Sequence, residues 1–167
     1  MKTAILIIDV YQSIEDGVLG HYEYGDLRLG IDRIEEVLKT GEEFQCPIYA
    51  ATYKHQPLSR RLMRYVKPGN VFNKKEYNAF EQSSLDERLR HDRTDTIIVM
   101  GFNRDRCVKQ TIQGAVERGY NIIACEELMF EIECDDIREK TLEYFKNQRG
   151  VLFFEQHTKV LEYLKTA

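Results

Sequence analysis

No apolar run in this 167-residue chain approaches the roughly 18 residues that a membrane-spanning helix needs. The opening MKTAILIIDV sets one lysine before an apolar run, as a signal peptide does. Asp9 interrupts that run, and no small-residue cleavage site follows, so the stretch reads as a first strand. The four cysteines, at 46, 107, 125 and 134, include no CxxC pair. A chain of this length has no need of disulfide staples, which favours reduced thiols and a cytoplasmic setting. Neither charge sign dominates. Lys and Arg number 24 against 28 Asp and Glu, the signs are interleaved and the net charge is −4, so neither a nucleic-acid surface nor a polybasic membrane surface is indicated. There is no repeat, linker or low-complexity tract. What remains, 43% hydrophobic and 31% charged residues, is ordinary for a soluble globular protein, and residues 1–167 are expected to form one domain.

Strand and helix patterns alternate along the chain. Thr3–Asp9 reads as strand one, and a polar loop over 12–25 leads to a helix with Leu27, Ile31, Ile34 and Leu38 on one face. Pro47–Tyr53 is strand two, its proline placed at the start where a missing N–H is tolerated. A short basic helix is expected over Leu58–Tyr65, then a brief strand at Val71-Phe72. Ser84-Leu85-Asp86-Glu87 has the capping-box pattern and opens a helix through Leu89. Thr96–Met100 is a β-branched apolar run typical of a strand buried on both faces, broken at Gly101. Val108, Ile112, Ala115 and Val116 then share a helix face up to Gly119. Asn121–Cys125 is strand five. Asp135 or Asp136 caps a helix with Ile137, Thr141, Tyr144 and Phe145 on one face, ending at Gly150. Val151–Phe154 is strand six and Thr158–Lys165 a closing helix. This order predicts an α/β fold, a six-stranded parallel sheet with helices on both faces.

In such sheets ligands bind outside the carboxyl ends of the strands, and three chemistry-bearing residues fall there. Cys107 follows strand four at the start of a helix. Backbone N–H groups and the helix dipole favour an anion in that place, so a lowered thiol pKa is expected, with Arg104 and Arg106 adding positive charge. A buried cysteine is also commonly a small hydrophobe. Asp9 ends strand one, as a functional carboxylate or as a loop cap. Lys74 and Lys75 follow strand three, as site residue or as solvated surface. Together, an Asp, a Lys and a Cys converging in one crevice would let the acid take and return the thiol proton while the lysine holds the acid ionised. Cys46 and Cys125 read as core thiols.

Longer motifs carry a resemblance. Lys74-Lys75-Glu76-Tyr77-Asn78-Ala79-Phe80 is similar to K-x-x-Y-S-A-F, with Asn78 in place of Ser and Lys74 in the catalytic register. Ser84–Leu89 is similar to T-x-L-x-x-x-L, Gly101–Val108 to G-V-x-T-x-x-C-V, and Gly119-Tyr120 to the G-Y that ends the next helix. Nearly the whole chain thereby resembles the isochorismatase-like cysteine hydrolase superfamily, which includes nicotinamidases and N-carbamoyl amidohydrolases. The resemblance implies Cys107, Asp9 and Lys74 as catalytic residues, thioester chemistry on a small amide, carbamoyl or ureido substrate, and no cofactor. It also implies an oxyanion hole from the backbone N–H groups of Asn103 and Cys107, with a cis Phe102–Asn103 peptide before the nucleophile loop. A homo-oligomer is expected too, for which Tyr22, Tyr24, Leu128, Met129 and Phe130, apolar residues in predicted loops, are candidate interface or pocket residues.

Departures from the family pattern are equally informative. Tyr11 stands where D-x-Q has Gln, and Arg104 replaces a Thr. Thr52-Tyr53-Lys54-His55 retains only the histidine of the nicotinamidase D-x-H…H metal site, so no metal is expected. Isochorismatases proper lack the nucleophilic cysteine, which argues against vinyl-ether hydrolysis here. Tyr11, His55, Phe102 and Arg104 are the candidate substrate-binding residues. Arg104 pairs with a substrate carboxylate, or reaches a neighbouring subunit or solvent; His55 lines the pocket or lies in a surface loop. Two other readings compete: a catalytically degenerate relative acting as a binding or assembly protein, and a flavodoxin-like binding module. The second is weakened because Gly101-Phe102-Asn103-Arg104 is not a Gly-rich phosphate loop.

Overall fold

The computed structural model describes residues 2–16, 24–131 and 135–166. Six strands, β1 (Thr3–Ile8), β2 (Ile48–Tyr53), β3 (Val71–Lys74), β4 (Thr96–Phe102), β5 (Asn121–Phe130) and β6 (Val151–Phe154), form one sheet in the order β3-β2-β1-β4-β5-β6. Every pairing is parallel. Composition explains the order. All residues of the central strands β1 and β4 are buried, whereas β3 and β6, four residues each and partly exposed, sit at the edges.

The helices are α1 (Gln12–Glu15), α2 (Tyr24–Glu43), α3 (Arg60–Met63), α4 (Leu85–His91), α5 (Lys109–Glu117), α6 (Asp135–Asn147) and α7 (His157–Leu164). Strand alternation sends the sheet's side chains to two cores. Ile5 and Ile7 pack with Ile31, Ile34 and Leu38 of α2 and Val160 and Leu164 of α7. Ala4, Leu6 and Ile8 pack with Leu85 and Leu89 of α4, Ile112 and Ala115 of α5 and Phe145 of α6. Each fully buried Ile or Leu contributes about 1.5–3 kcal/mol of transfer free energy. The fold is therefore the expected α/β sheet, covered on both faces.

Local expectations fail at four places. β5 continues five residues beyond Cys125, because Cys125–Leu128 bulge against Met100 before pairing resumes at Gly101↔Met129. Leu128 and Met129 are consequently fully buried strand residues, not an exposed interface patch, and Phe130 is half-buried against Phe102. The Ser84 side chain makes no cap hydrogen bond; Ser83 Oγ instead accepts from the Leu85 N–H at 3.3 Å. Ile137 is 39% exposed while Thr141 and Phe145 are buried, so the inward face of α6 starts a turn later. Tyr22 and Cys134, and the side chains of Tyr24, Asp135 and Asp136, lie outside the described residues. Among the described residues, no helix is long and apolar enough to cross a membrane.

Candidate active site

β1 lies between β2, which follows it in sequence, and β4, so the crevice between β1 and β4 is the sheet's switch point. Ile8 pairs with Ala51 on one side and Gly101 on the other. Gly101 has φ +123°, and a Cβ there would lie 2.0 Å from the Ile8 carbonyl oxygen. Only glycine lets β4 pass so close to the end of β1.

One residue later, Asp9 turns into the left-handed region at φ 53°, a conformation that Asp tolerates better than most residues, and its N–H donates to the Ala51 carbonyl at 3.0 Å. The carboxylate ends up 3% exposed, where a charge needs a partner. Lys74 supplies it from the last position of β3, two strands away. Its stem passes Tyr53, the Nζ lying 5.1 Å from the ring centroid, and reaches Asp9 Oδ2 at 2.8 Å. The same Nζ donates to the Glu76 carbonyl at 3.2 Å and to Cys107 Sγ at 3.4 Å, so all three ammonium protons are placed. Lys74 is fully buried. Asp9, Lys74 and Cys107 therefore meet at the sheet's rim.

Cys107 does not occupy the first turn of an α-helix. Arg104–Val108 form a π-helical turn, closed by the Val108 N–H on the Asn103 carbonyl at 3.0 Å, and α5 starts at Lys109. Nor is the thiol pKa lowered. Burial, then the Asp9 charge, push it up to about 11, and Lys74 only partly opposes them. The expected dipole effect is outweighed because the sulfur has left water, which disfavours the charged form. Lys74 Nζ bridges the two groups, holding Asp9 Oδ2 at 2.8 Å and the Cys107 sulfur at 3.4 Å. The peptide bonds of the described residues are all trans, including Phe102–Asn103. Extended backbone at Asn103 (φ −80°, ψ 133°) carries β4 into the turn without the roughly 3–4 kcal/mol of a non-proline cis bond.

The candidate substrate-binding residues scatter. Arg104 is 5% exposed and committed internally: Nε and Nη2 donate to the Met129 carbonyl at 3.1 and 2.6 Å, and Nη1 pairs with Glu131 at 3.2 Å. It braces the end of β5. Phe102 is buried in the core. His55 sits in an exposed left-handed turn (φ 60°) after β2, its N–H donating to Asn73 Oδ1. Tyr11 alone reaches the triad, its hydroxyl donating to Asp9 Oδ1 at 2.6 Å and accepting the Tyr53 N–H at 3.2 Å. Sequence reasoning missed Tyr53, whose ring and N–H both serve the site; its place at the end of a strand beside the crevice was the available signal. Among the described residues no three His, Cys, Asp or Glu side chains gather as they would around a metal ion. With Tyr53 in the Asp position and His55 turned to solvent, the residues present do not fit the nicotinamidase-type metal.

Cys46 is partly exposed, its thiol donating to the Thr3 carbonyl at 3.1 Å, and Cys125 is buried; burial raises both pKa values to about 12.

The Isochorismatase domain family matches residues 3–153. No curated protein matches the sequence significantly. Among solved structures, the nicotinamidase of Staphylococcus aureus is 22% identical, over 93% of this chain and 99% of its own, with a TM-score of 0.78. N-carbamoylsarcosine amidase of Thermoplasma acidophilum is 19% identical, over 93% and 96%, at 0.71. A cysteine hydrolase of Pseudomonas syringae pv. phaseolicola is 17% identical, over 99% and 93%, at 0.81. At these identities the structures share the fold.

Proposed function

We propose, for a chain that belongs to the isochorismatase domain family of hydrolases, that it is a cysteine amidohydrolase cleaving a C–N bond of a small amide, carbamoyl or ureido compound. The observation that carries this reading is the contact of one buried ammonium with both Asp9 (2.8 Å) and the Cys107 sulfur (3.4 Å). A thiol titrating near 11 is ionised in only about one molecule in ten thousand at pH 7. Attack therefore requires a base beside the S–H, and Asp9, which shares the Lys74 ammonium with the sulfur, is the proposed one.

As sulfur bonds to the substrate carbonyl carbon, its proton passes to Asp9. The backbone N–H groups of Asn103 and Cys107 are the proposed donors to the resulting oxyanion, a kind of contact worth roughly 3–4 kcal/mol per donor. Asp9 then returns the proton to the leaving nitrogen, and ammonia or an amine departs from the thioester. Water, losing a proton to Asp9, adds to the thioester and releases the acid, and the proton returns to the sulfur. Lys74 stays charged throughout, compensating Asp9 when ionised and the sulfur as it gains charge. Asn103 Oδ1, buried and without a hydrogen-bond partner, is an acceptor that a substrate N–H would satisfy. Metal independence is part of the proposal, supported by the Tyr53 and His55 positions.

The test is ammonia or amine release across a panel of small amides, carbamoyl and ureido compounds. Wild type turns over at least one, Cys107→Ala and Cys107→Ser lose turnover by more than about a thousandfold with circular dichroism unchanged, and mass spectrometry traps an acyl group on Cys107. Turnover surviving in Cys107→Ala would sink the reading. Silence of the wild type across the panel, with a protein partner retained on pull-down, would point to the binding or assembly role.

A further inference from the structure

Tyr11 is held more firmly than a residue that merely lines a pocket. Its backbone forms an isolated antiparallel bridge with Leu58, flanked by the Gln12 N–H on the Pro57 carbonyl (2.9 Å) and the Ser59 N–H on the Val10 carbonyl (2.8 Å). Its hydroxyl has one proton to give and gives it to Asp9 Oδ1 at 2.6 Å, while the Tyr53 N–H, from the end of β2, donates to the phenol oxygen at 3.2 Å. The phenol proton is secured there, since burial and Asp9 push the Tyr11 pKa far above its ordinary value. Asp9 is thus gripped at both oxygens, Oδ1 by Tyr11 and Oδ2 by Lys74.

We infer that Tyr11 is a positioning residue for the general base: its phenol fixes the carboxylate plane of Asp9, tethers it to β2 through the Tyr53 N–H, and so holds the base against the Lys74 ammonium that also meets the Cys107 sulfur. The inference rests on the hydrolase reading for its catalytic consequence. The positional part stands on geometry alone. It explains how an Asp in a left-handed backbone conformation, at a strand end, keeps one side-chain orientation. It also assigns the Tyr that replaces the family's usual Gln to the enzyme's own machinery and not to substrate.

Tyr11→Phe removes the oxygen and little else. With the phenol gone, one carboxylate oxygen has lost its donor, and the acid limb of the kcat/KM profile no longer coincides with that of wild type. kcat drops about tenfold with KM within about twofold, since no substrate contact is lost. A second readout needs no substrate: without the phenol dipole the thiol feels the full Asp9 charge, and alkylation of Cys107 by iodoacetamide at pH 9 slows about threefold. If the alkylation profile and the acid limb both coincide with wild type while only the melting temperature falls, Tyr11 is packing and the inference is overturned. If wild type turns over nothing in the panel yet Tyr11→Phe slows alkylation, positioning stands and the hydrolase reading falls by itself.

Discussion

Lys74→Met is the most direct perturbation of the site, because it removes the charge and keeps a stem of similar length. Lys74 has no exposed side-chain surface and Asp9 only 4%. At 2.8 Å and an effective dielectric of about 20, their attraction is about 6 kcal/mol, much of it offset by the desolvation of both ions. The variant reads the cost of leaving Asp9 buried with only Tyr11 as partner, about 3–5 kcal/mol. Contacts to the Glu76 carbonyl and Cys107 sulfur go with it, and the Tyr53 ring loses its cation. Urea unfolding at pH 7, followed by circular dichroism, measures the loss. A cycle through Asp9→Asn and the double variant isolates the pair. With a neutral amide in place of the carboxylate, the double variant has no charge to strand, so its stability exceeds the sum of the single losses by about 2–3 kcal/mol. Hydrolysis falls at least a hundredfold in each single variant and is not restored in the double. Additivity within about 0.5 kcal/mol, or a Lys74→Met loss below about 1 kcal/mol, would refute the claim that this is a dry, obligate pair.

Gly101→Ala is expected to cost about 4 kcal/mol or more, since both the positive φ and the 2.0 Å approach to the Ile8 carbonyl forbid a Cβ, and neither neighbour is a movable side-chain tip; a melting temperature within about 3 °C of wild type, on the order of what 1 kcal/mol moves, contradicts it. The described thiols have folded-state pKa values of about 11 to 12, raised above the ordinary value by burial. Their contribution to stability is thus complete below about pH 9 and is lost as pH rises toward 11–12. Iodoacetamide labelling of Cys107, read by peptide mass spectrometry, accordingly climbs about tenfold per unit from pH 7 and levels near 11, before Cys46 and Cys125; a plateau below pH 8 would mean a preformed thiolate.

Asp9, Lys74 and Cys107 were legible in the chain because each follows an apolar run, and a run of that kind in an alternating α/β pattern announces a parallel strand whose carboxyl end borders a crevice. The choice of Lys74 over Lys75 rests on motif register, and it is Lys74 that makes the buried ion pair with Asp9. Arg104 was not legible. Its sequence context left a substrate carboxylate, a neighbouring subunit or solvent open as partners, and none of these is the partner found: the β5 bulge brings the Met129 carbonyl and Glu131 within its reach. The bulge itself depends on long-range pairing with β4 and leaves no period in the local sequence. The thiol's protonation state was misread for a related reason: helix position is a local property, whereas burial and the distance to Asp9 are set by the packing of four strands.

Local sequence thus determined the class of fold, the approximate ends of the strands and the candidates Asp9, Lys74 or Lys75, and Cys107, because periodicity and strand termini are properties of contiguous residues; the choice among them came from the longer motifs. Tertiary structure alone decided what the charged and phenolic groups do, because hydrogen-bond partners and solvent exposure arise between residues distant in sequence. Tyr11, two residues from Asp9, became its anchor only when β2 brought the Tyr53 N–H to the phenol.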